Sequence, residues 1–225
     1  MNSRIQKIRN KAQSGDKEAK KELELLERIL ETLNNNKLIV TMDLTEDELK
    51  MLKSFSLLTA KPVIYVANID ESSINNPLKN EHYKNLYNYL DGKNIIPISV
   101  KIENEISLLS NDEKEIFLQE MNMTESGLDR LIKLAYKMLN LETFFTYGKI
   151  EVRGWVFKKG SLAPDAASVI HTDFKDKFIR AEIIKYNDMR EIRDEQKIKD
   201  LGKMKIVGKD YIIQDGDICH FKINK

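Results

Sequence analysis

The chain has 225 residues, 41% of them hydrophobic and 32% charged, with 37 basic and 36 acidic side chains and a formal charge of +1. This composition excludes a disordered or collagen-like chain, and because no apolar run approaches the roughly 18 residues of a membrane span, we expect a cytoplasmic protein without a membrane partner. The balanced charge excludes a global attraction to nucleic acid, and the single cysteine, Cys219, excludes an internal disulfide or a zinc module.

The first 56 residues are predicted to be helical. Apolar residues at three- and four-residue spacing predict two helices, separated at Ser14-Gly15-Asp16, that form an antiparallel hairpin. Gly15 can adopt a positive φ to end the first helix, and Ser14 or Asp16 can cap the second. Thr45-Glu46-Asp47-Glu48 has the form of a capping box, which predicts a third, short helix through about Ser54.

Two apolar segments then predict a pair of parallel strands. Residues 61–68 form a nearly continuous β-branched and aromatic run, as expected of a strand that is buried on both faces. A helix at about 80–90 and a second strand at 94–99 complete a βαβ unit. Further helices are predicted at about 101–109, 112–121 and 125–140. Two strands are too few for a stable doubly wound sheet, so we expect the rest of the sheet to be absent from this chain.

From Thr143 the pattern becomes rich in β structure. Residues 187–202 are highly charged and have no strand pattern, whereas 205–208 and 211–213 alternate and lead into the last strand. Strands around one helix in about 80 residues fit a β-grasp, ubiquitin-like module. The predicted strands are 143–147, 154–158, 181–186 and 218–223, and the predicted helix is 164–172.

Polar residues follow the first parallel strand as Asn68-Ile69-Asp70-Glu71. Ligands of open α/β sheets bind beyond the carboxyl ends of the strands, where P-loop GTPases carry Asn-Lys-x-Asp and the aspartate accepts two hydrogen bonds from guanine. Here Ile69 replaces the lysine and Glu71 the aspartate. Adenine presents one N6 donor beside the N1 acceptor, so we expect a preference for ATP, with Ile69 stacking on the base. The alternative is a polar turn that follows a strand.

A second motif, Ser99-Val100-Lys101, follows the next strand about 30 residues later. The same class places a Ser-Ala-Lys loop there, whose backbone N–H groups contact the base. Lys101 alone would be a solvated charge. Since the two motifs end consecutive strands of one βαβ unit, together they predict a purine pocket.

The groups needed for phosphoryl transfer are missing from the 225 residues. The sequence contains no Gly-x-x-x-x-Gly-Lys-Ser/Thr phosphate loop, and no Asp-x-x-Gly metal-binding segment precedes residue 68. A phosphate cradle, a Mg²⁺ ligand and a group that positions water stabilise the transition state of this reaction. We therefore predict no catalytic residue, and we do not expect this chain to hydrolyse a nucleotide alone.

Histidine and the basic aromatic segment offer weaker candidates. His171 is either a catalytic histidine or a residue that satisfies backbone groups at a helix end. His220 and Cys219 are neighbours on a strand and should face opposite ways, and His82 is expected at the surface. An RNA-binding face and a core face are both compatible with a last group of residues: Arg153, Trp155, Phe157, Lys158 and Lys159.

Six segments of the sequence resemble the Obg-like ATPase (YchF) family, and the resemblance extends over essentially the whole chain. These segments are residues 57–71, 98–103, 144–148, 163–174, 178–182 and 208–217. The resemblance implies a mixed α/β and α+β protein in three parts. A partial helical coiled-coil insertion at 1–56 precedes the C-terminal βαβ part of a P-loop G domain at 57–140, and a TGS domain of β-grasp fold follows at 141–225.

The resemblance also implies a function. The family binds and hydrolyses ATP in preference to GTP, uses Mg²⁺, and associates with ribosomes. Its base-contacting positions carry over onto six residues of this chain: Asn68, Ile69, Glu71, Ser99, Val100 and Lys101. Catalytic residues and Mg²⁺ ligands carry over onto none, because the chain is expected to begin inside the helical insertion and to lack the N-terminal half of the G domain.

Three hypotheses follow for the chain itself. It is the C-terminal part of a YchF-type ATPase that reads the adenine base but does not hydrolyse ATP alone. Alternatively, it is a non-enzymatic module that docks on the ribosome, at the large subunit, or on RNA through its TGS domain and helices. The third option is an unstable gene fragment, because two strands of a larger sheet expose an edge and an apolar face.

Overall fold

The computed structural model describes residues 2–148 and 151–224, and contacts divide the chain into two compact units, 1–64 and 65–225. In the first unit, helices α1 (Asn2–Gln13) and α2 (Lys17–Asn34) form the predicted helical pair. Gly15 has the expected positive φ of 95°, and Asp16 caps α2 by accepting from the backbone N–H groups of the residues two and three positions ahead. Helix α3 (Glu46–Phe55) begins at the predicted capping box.

The first unit has its own apolar core. Side chains from α2, α3 and the intervening segment pack together, and Leu25, Ile29 and Ile39 are almost completely buried. Among the residues that the structure describes, no helix is both long and apolar enough to cross a membrane.

The second unit opens with a parallel βαβ arrangement. Strand β1 (Tyr65–Asn68), helix α4 (Glu81–Tyr89) and strand β2 (Ile95–Ile98) follow one another, and the two strands pair in parallel as predicted. Three helices come next, at positions close to those predicted from the sequence. They are α5 (Val100–Ser107), α6 (Asn111–Glu120) and α7 (Gly127–Met138).

Strand β1 differs from the prediction of a long strand buried on both faces. It has four residues, its side chains alternate between half-buried and exposed, and Val66 is 49% exposed. Within the described residues β1 pairs only with β2, so its other edge has no strand partner there. Pro62, which lacks a backbone N–H, cannot donate to a ladder and lies before the strand.

The C-terminal part forms a five-stranded sheet in the order β4-β3-β7-β5-β6. The central strands β3 and β7 are parallel, and the other neighbours are antiparallel. The elements in chain order are β3 (Leu141–Tyr147), β4 (Val152–Lys158), α8 (Ala163–Ala167), α9 (Asp173–Asp176), β5 (Phe178–Lys185), α10 (Tyr186–Ile192), α11 (Glu195–Asp200), β6 (Lys205–Val207) and β7 (Asp217–Ile223).

Both faces of this sheet carry packed side chains. Phe144, Phe157 and Ile183 lie in the larger core with the alanines of α8. On the other face Ile184 and Ile218 pack with Ile198 of α11.

The structure corrects the sequence-based prediction for this region at one helix and at residues 211–213, and it shows helices in the charged segment, which had been described only as lacking a strand pattern. The helix predicted at 164–172 ends at Ala167, and a separate turn of helix follows at α9. The charged residues 187–202 form α10 and α11, whose seven and six residues are too few to reveal helical periodicity. Residues 211–213 form an isolated bridge between Ile212 and Leu162 instead of a strand.

Candidate functional site

The carboxyl ends of β1 and β2 meet at an open pocket of about 820 Å³. The six residues predicted from the two motifs all line it, so the structure brings both motifs together at one place. Three further residues, Asp70, Ser72 and Asn104, complete the lining. Parallel pairing of β1 with β2 accounts for this convergence, because it puts the ends of both strands at the same edge.

Asn68 connects the two loops directly. Its side-chain Oδ1 accepts a hydrogen bond from the backbone N–H of Val100, at 3.3 Å. Val100 is the first residue of α5, and the first amides of a helix have no partner inside the helix. The end of β1 is thereby tied to the beginning of α5, and the Asn68 Nδ2 group is the one that can donate to a ligand.

Glu71 and Lys101 form an ion pair at the pocket. Lys101 Nζ lies 2.6 Å from Glu71 Oε1, and this hydrogen bond and the carboxylate charge raise the pKa of Lys101. Both side chains are substantially exposed, so solvent screens the interaction. The predicted base-reading carboxylate is therefore already engaged by a cation from the second motif.

Ile69 and Ser99 line the pocket but are largely buried. Ile69 is 9% exposed and packs into an apolar cluster with Ile74 and Ile102. The broad stacking surface expected of Ile69 is thus reduced to the edge of its side chain. Ser99 is 2% exposed, and its backbone oxygen accepts from the N–H of Glu103 at 3.0 Å.

Asp70, which the motif comparison passed over, organises the loop that carries Glu71. Its carboxylate accepts hydrogen bonds from the Ser72 hydroxyl at 2.5 Å, from the Ser73 N–H at 2.9 Å and hydroxyl at 3.0 Å, and from Asn80 Nδ2 at 3.3 Å. The hydrogen bonds from Ser72 and Ser73 lower the pKa of Asp70 to about 2. An aspartate with serines two and three residues later is typical of such turns, so the signal was present in the sequence.

Glu103 positions α5 against α7. Its two carboxylate oxygens accept from the backbone N–H groups of Gly127, at 2.7 Å, and Leu128, at 3.1 Å, in the first turn of α7. A carboxylate in this position also compensates the positive end of the helix dipole. Glu103 is the neighbour in α5 of the pocket residue Asn104, and its partners are 24 and 25 residues away in the chain, a separation that conceals the contact in the sequence.

The histidines form no catalytic group with Cys219. His171 is exposed, and its Nδ1 accepts from the backbone N–H of Asp173 at 3.2 Å, which gives it a local backbone contact. Cys219 is buried in the core while His220 is exposed, so the prediction that they face opposite ways is confirmed. His82 is exposed, as predicted.

The aromatic residues of β4 belong to the core face, as the second interpretation predicted. Phe157 is buried in the main core, and Trp155 packs against the same cluster. Trp155 Nε1 donates to the Thr146 hydroxyl at 2.8 Å, and the Arg153 guanidinium lies 4.2 Å from the centre of the Trp155 ring. Lys158 is exposed, and Lys159 is paired with a glutamate of β3. These aromatic rings are therefore already occupied by contacts within the protein.

The architecture and the strand-end pocket together define a mixed α/β protein of the YchF GTPase fold. The chain is similar to the solved structure of the Schizosaccharomyces pombe YchF GTPase, with a TM-score of 0.80 and 34% sequence identity. That similarity covers 92% of this chain and 55% of the yeast chain.

Sequence comparisons give the same family. The model of the YchF-GTPase C-terminal family, described as "Protein of unknown function (DUF933)", matches residues 141–224. The chain is 44% identical over 220 residues to the ribosome-binding ATPase YchF of Pasteurella multocida, and 41% identical over 223 residues to that of Bacillus subtilis. Each match covers 98% of this chain. The chain belongs to the YchF family, and it spans about 60% of the length of these curated relatives.

Proposed function

We propose that this chain carries the base-reading part of an ATP site in a YchF-type, ribosome-associated ATPase of the cytoplasm. The observation that carries the proposal is the single pocket formed by the residues after β1 and the residues that begin α5. Relatives that cover nearly all of this chain are named ribosome-binding ATPases, which supports the same class of function.

The chemistry of the pocket suits adenine better than guanine. Asn68 would donate through Nδ2 to a ring nitrogen, and the backbone N–H groups at the start of α5 offer further donors. Glu71 would accept from the N6 amino group. Guanine presents two adjacent donors that call for a free carboxylate, whereas Glu71 is shared with Lys101. Because Lys101 would compete with guanine for the Glu71 carboxylate, we expect a preference for ATP over GTP.

The proposal does not extend to binding of the phosphates or of Mg²⁺. The sequence contains no phosphate loop, and the described residues include no group of three or more His, Cys, Asp or Glu side chains that could hold a metal ion. These residues therefore suit the base and not the triphosphate. We assign no catalytic residue and no hydrolytic step to them.

We propose a second role, ribosome or RNA contact, for the C-terminal sheet. The order β4-β3-β7-β5-β6, with its parallel central pair and the packed helix α8, supports a β-grasp domain of the TGS type over residues 141–225. The boundary predicted at residue 56 stays a prediction. Contacts within the chain instead group the residues as 1–64 and 65–225. We propose the large ribosomal subunit as the docking partner.

Calorimetric titration of the full chain with ATP, ADP, adenosine and GTP tests the base-reading proposal. Since only the base is recognised, we expect weak and similar dissociation constants for the three adenine ligands, weaker binding of GTP, and no phosphate release. Glu71→Gln and Asn68→Ala should weaken binding, whereas Glu120→Gln and Asn88→Ala, at exposed positions on α6 and α4, should not. Robust ATP turnover, or affinity that rises with each phosphate, would contradict the proposal.

Co-sedimentation with ribosomes and separated large subunits tests the second role. Binding at low salt that weakens as salt is added is expected of contacts with the RNA backbone. Failure to sediment with ribosomes at low salt would remove this role and leave the nucleotide proposal standing.

A further inference from the structure

Two pockets of the second unit adjoin each other on the face of the five-stranded sheet that carries Ile218. One, of about 820 Å³, lies between α7 and the beginning of β3, and the other, of about 570 Å³, lies between the sheet and α10. Phe145 and Tyr186 line both, and their ring centres are 5.9 Å apart. The two pockets thus form one groove, which we call the aromatic groove.

Four aromatic side chains follow one another along this groove. Tyr136 lines the first pocket, Phe145 and Tyr186 line both, and Tyr147 lines the second. Tyr186 is 49% exposed, and the other three are half-buried. Phe145 and Tyr147 also pack against the apolar cluster of Ile184, Ile198 and Ile218, so Tyr186 is the ring that presents the most surface to the groove.

Cationic side chains stand at both ends. Lys133, Lys137 and Lys159 line the first pocket, and Arg190 and Arg193 line the second. Arg193 donates through Nε to the backbone oxygen of Arg190, a contact that leaves its charge unneutralised.

Two of the three acidic residues that line the groove are engaged by other groups of the protein. Glu142 pairs with Lys159 at 3.0 Å, and Asp215 accepts from the backbone N–H of Thr143 at 2.9 Å. The third is Glu195, and burial together with this nearby carboxylate raises the pKa of Tyr147. Of the five cations that line the groove, Lys133 pairs with Glu125 and Lys159 with Glu142, so Lys137, Arg190 and Arg193 supply its positive charge.

We propose that the aromatic groove binds single-stranded RNA, with bases stacked on Phe145 and Tyr186 and phosphates paired with Arg190 and Arg193. This inference deepens the proposed ribosome contact and rests on it. Sequence-tolerant binding of single strands uses the same combination of aromatic platforms and a cationic track. An apolar peptide would fill the second pocket, but it would offer no negative charge to Lys137, Arg190 and Arg193, so the charge favours RNA.

Fluorescence anisotropy of the full chain with a labelled twelve-nucleotide RNA of mixed sequence separates the two kinds of contact. Tyr186→Ala should weaken binding by about fivefold or more with an unchanged salt dependence, because stacking on one base is lost. Tyr186→Phe keeps the ring and should bind as the wild type does. The double variant Arg190→Gln/Arg193→Gln should reduce the slope of log K against log salt by about 1.4, since each single-strand phosphate contact contributes about 0.7.

Matched controls lie on α4 and just before it, away from the groove. Tyr89→Ala removes an exposed aromatic ring, and Lys79→Gln/Lys84→Gln removes two exposed cations; neither should change RNA affinity or its salt slope. No RNA binding by the wild type at low salt, or Tyr186→Ala equal to wild type, would overturn the inference.

Ribosome co-sedimentation of the same variants distinguishes this inference from the function on which it rests. If the wild type sediments with ribosomes and Tyr186→Ala does so equally, the groove is not the contact and only the inference fails. If Tyr186→Ala no longer sediments with ribosomes, while neither the wild type nor any variant binds the labelled RNA, the groove takes a protein partner and the RNA assignment is wrong. If the wild type does not sediment at all, the ribosome role fails, whereas the anisotropy measurement still decides whether the groove binds RNA.

Discussion

The two sheets of the second unit differ in how their geometry is maintained. In the five-stranded sheet both faces are covered, and the ladder extends over seven residue pairs between β3 and β4. The two-stranded sheet has four residue pairs, and within the described residues its strand β1 has one neighbour. The proposed base-contacting residues therefore lie on the sheet that has the fewer backbone contacts.

Side-chain contacts take the place of a ladder around the strand-end pocket. Asn68 bonds to the amide of Val100, Asp70 holds the serines that follow Glu71, and Glu103 holds the start of α7. Two of these contacts reach the start of a helix, and the third lies within the loop that follows β1. We conclude that the covered faces and the backbone ladder maintain the geometry of the five-stranded sheet. The geometry of the pocket depends instead on a few side-chain hydrogen bonds that can be removed one at a time.

The largest effect is expected in the core of the five-stranded sheet. Phe144 is fully buried, with its ring centre 5.7 Å from that of Phe157 and 5.6 Å from that of Phe221. Phe144→Ala should lower the free energy of unfolding by about 3–5 kcal/mol, because it removes packing and leaves a cavity. Urea denaturation followed by the fluorescence of the single tryptophan, Trp155 on β4, reports on this sheet.

Val152→Ala on β4 is the matched control, because Val152 is largely exposed and should change stability by less than about 0.5 kcal/mol. A loss for Phe144→Ala no greater than that of the control would contradict the comparison of the two sheets.

A smaller loss is expected from the polar group at the start of β7. Asp217 is fully buried and accepts from Lys185 Nζ at 2.6 Å, from the Tyr211 hydroxyl at 3.0 Å and from the backbone N–H of Gln214 at 3.0 Å. Burial by itself would lower the pKa of Lys185, but Asp217 outweighs it and the pKa is raised. Lys185 is therefore protonated at neutral pH.

Asp217→Asn should destabilise the sheet by about 2–3 kcal/mol, since charge-assisted hydrogen bonds are lost and buried donors remain unpaired. The same tryptophan-detected urea titration measures it, with the exposed Asp210→Asn as a control of equal chemistry. Stability equal to that of the control would mean that water replaces the lost acceptor.

Beside the pocket, Gly127 tests how tightly α7 must approach β2. A Cβ at this position would lie 2.8 Å from Glu103 Oε1 and 2.9 Å from Ile98 Cγ1. The glutamate can move, but the buried isoleucine cannot do so freely. Gly127→Ala should therefore cost about 1–2 kcal/mol locally, after the gain in helix propensity is subtracted.

Hydrogen–deuterium exchange of residues 95–107 measures this local loss, because a global unfolding probe reports mainly on the other sheet. Gly208→Ala is the control, since a Cβ there meets nothing within 4 Å. Unchanged protection in Gly127→Ala would show that α7 moves away without affecting β2.

The sequence was informative where the signals are local. The capping box at Thr45, the βαβ spacing and the two strand-end motifs were all visible within short segments, and the structure has them where they were predicted. Contacts across long separations were not visible. The bond from Glu103 to Gly127 and the groove between α7 and α10 depend on how elements pack, and the short charged helices of residues 187–202 have no periodicity to detect.

The burial of Ile69 shows the same limit at the pocket itself. An apolar residue in a motif was expected to contact a base, but an apolar cluster formed by α4, α5 and α6 takes most of its surface. A motif identifies which loop a residue belongs to. Which way the side chain turns depends on neighbours that the motif does not include.

The smallest expected effect concerns the acid sensitivity of the Asp70 loop. The pKa of Asp70 is lowered from 3.8 to about 2, so its stabilising hydrogen bonds are complete above its ordinary pKa and are lost as the pH falls through about 2. In an NMR titration, the Ser73 amide should shift with a midpoint near 2, and Asp70→Asn should abolish that step. The exposed Asp47→Asn should leave it unchanged, and Trp155 fluorescence in the same samples verifies that the larger sheet stays folded. A midpoint near 3.8 would mean that the serines do not hold the carboxylate, and the pocket would then have less order than its hydrogen bonds imply.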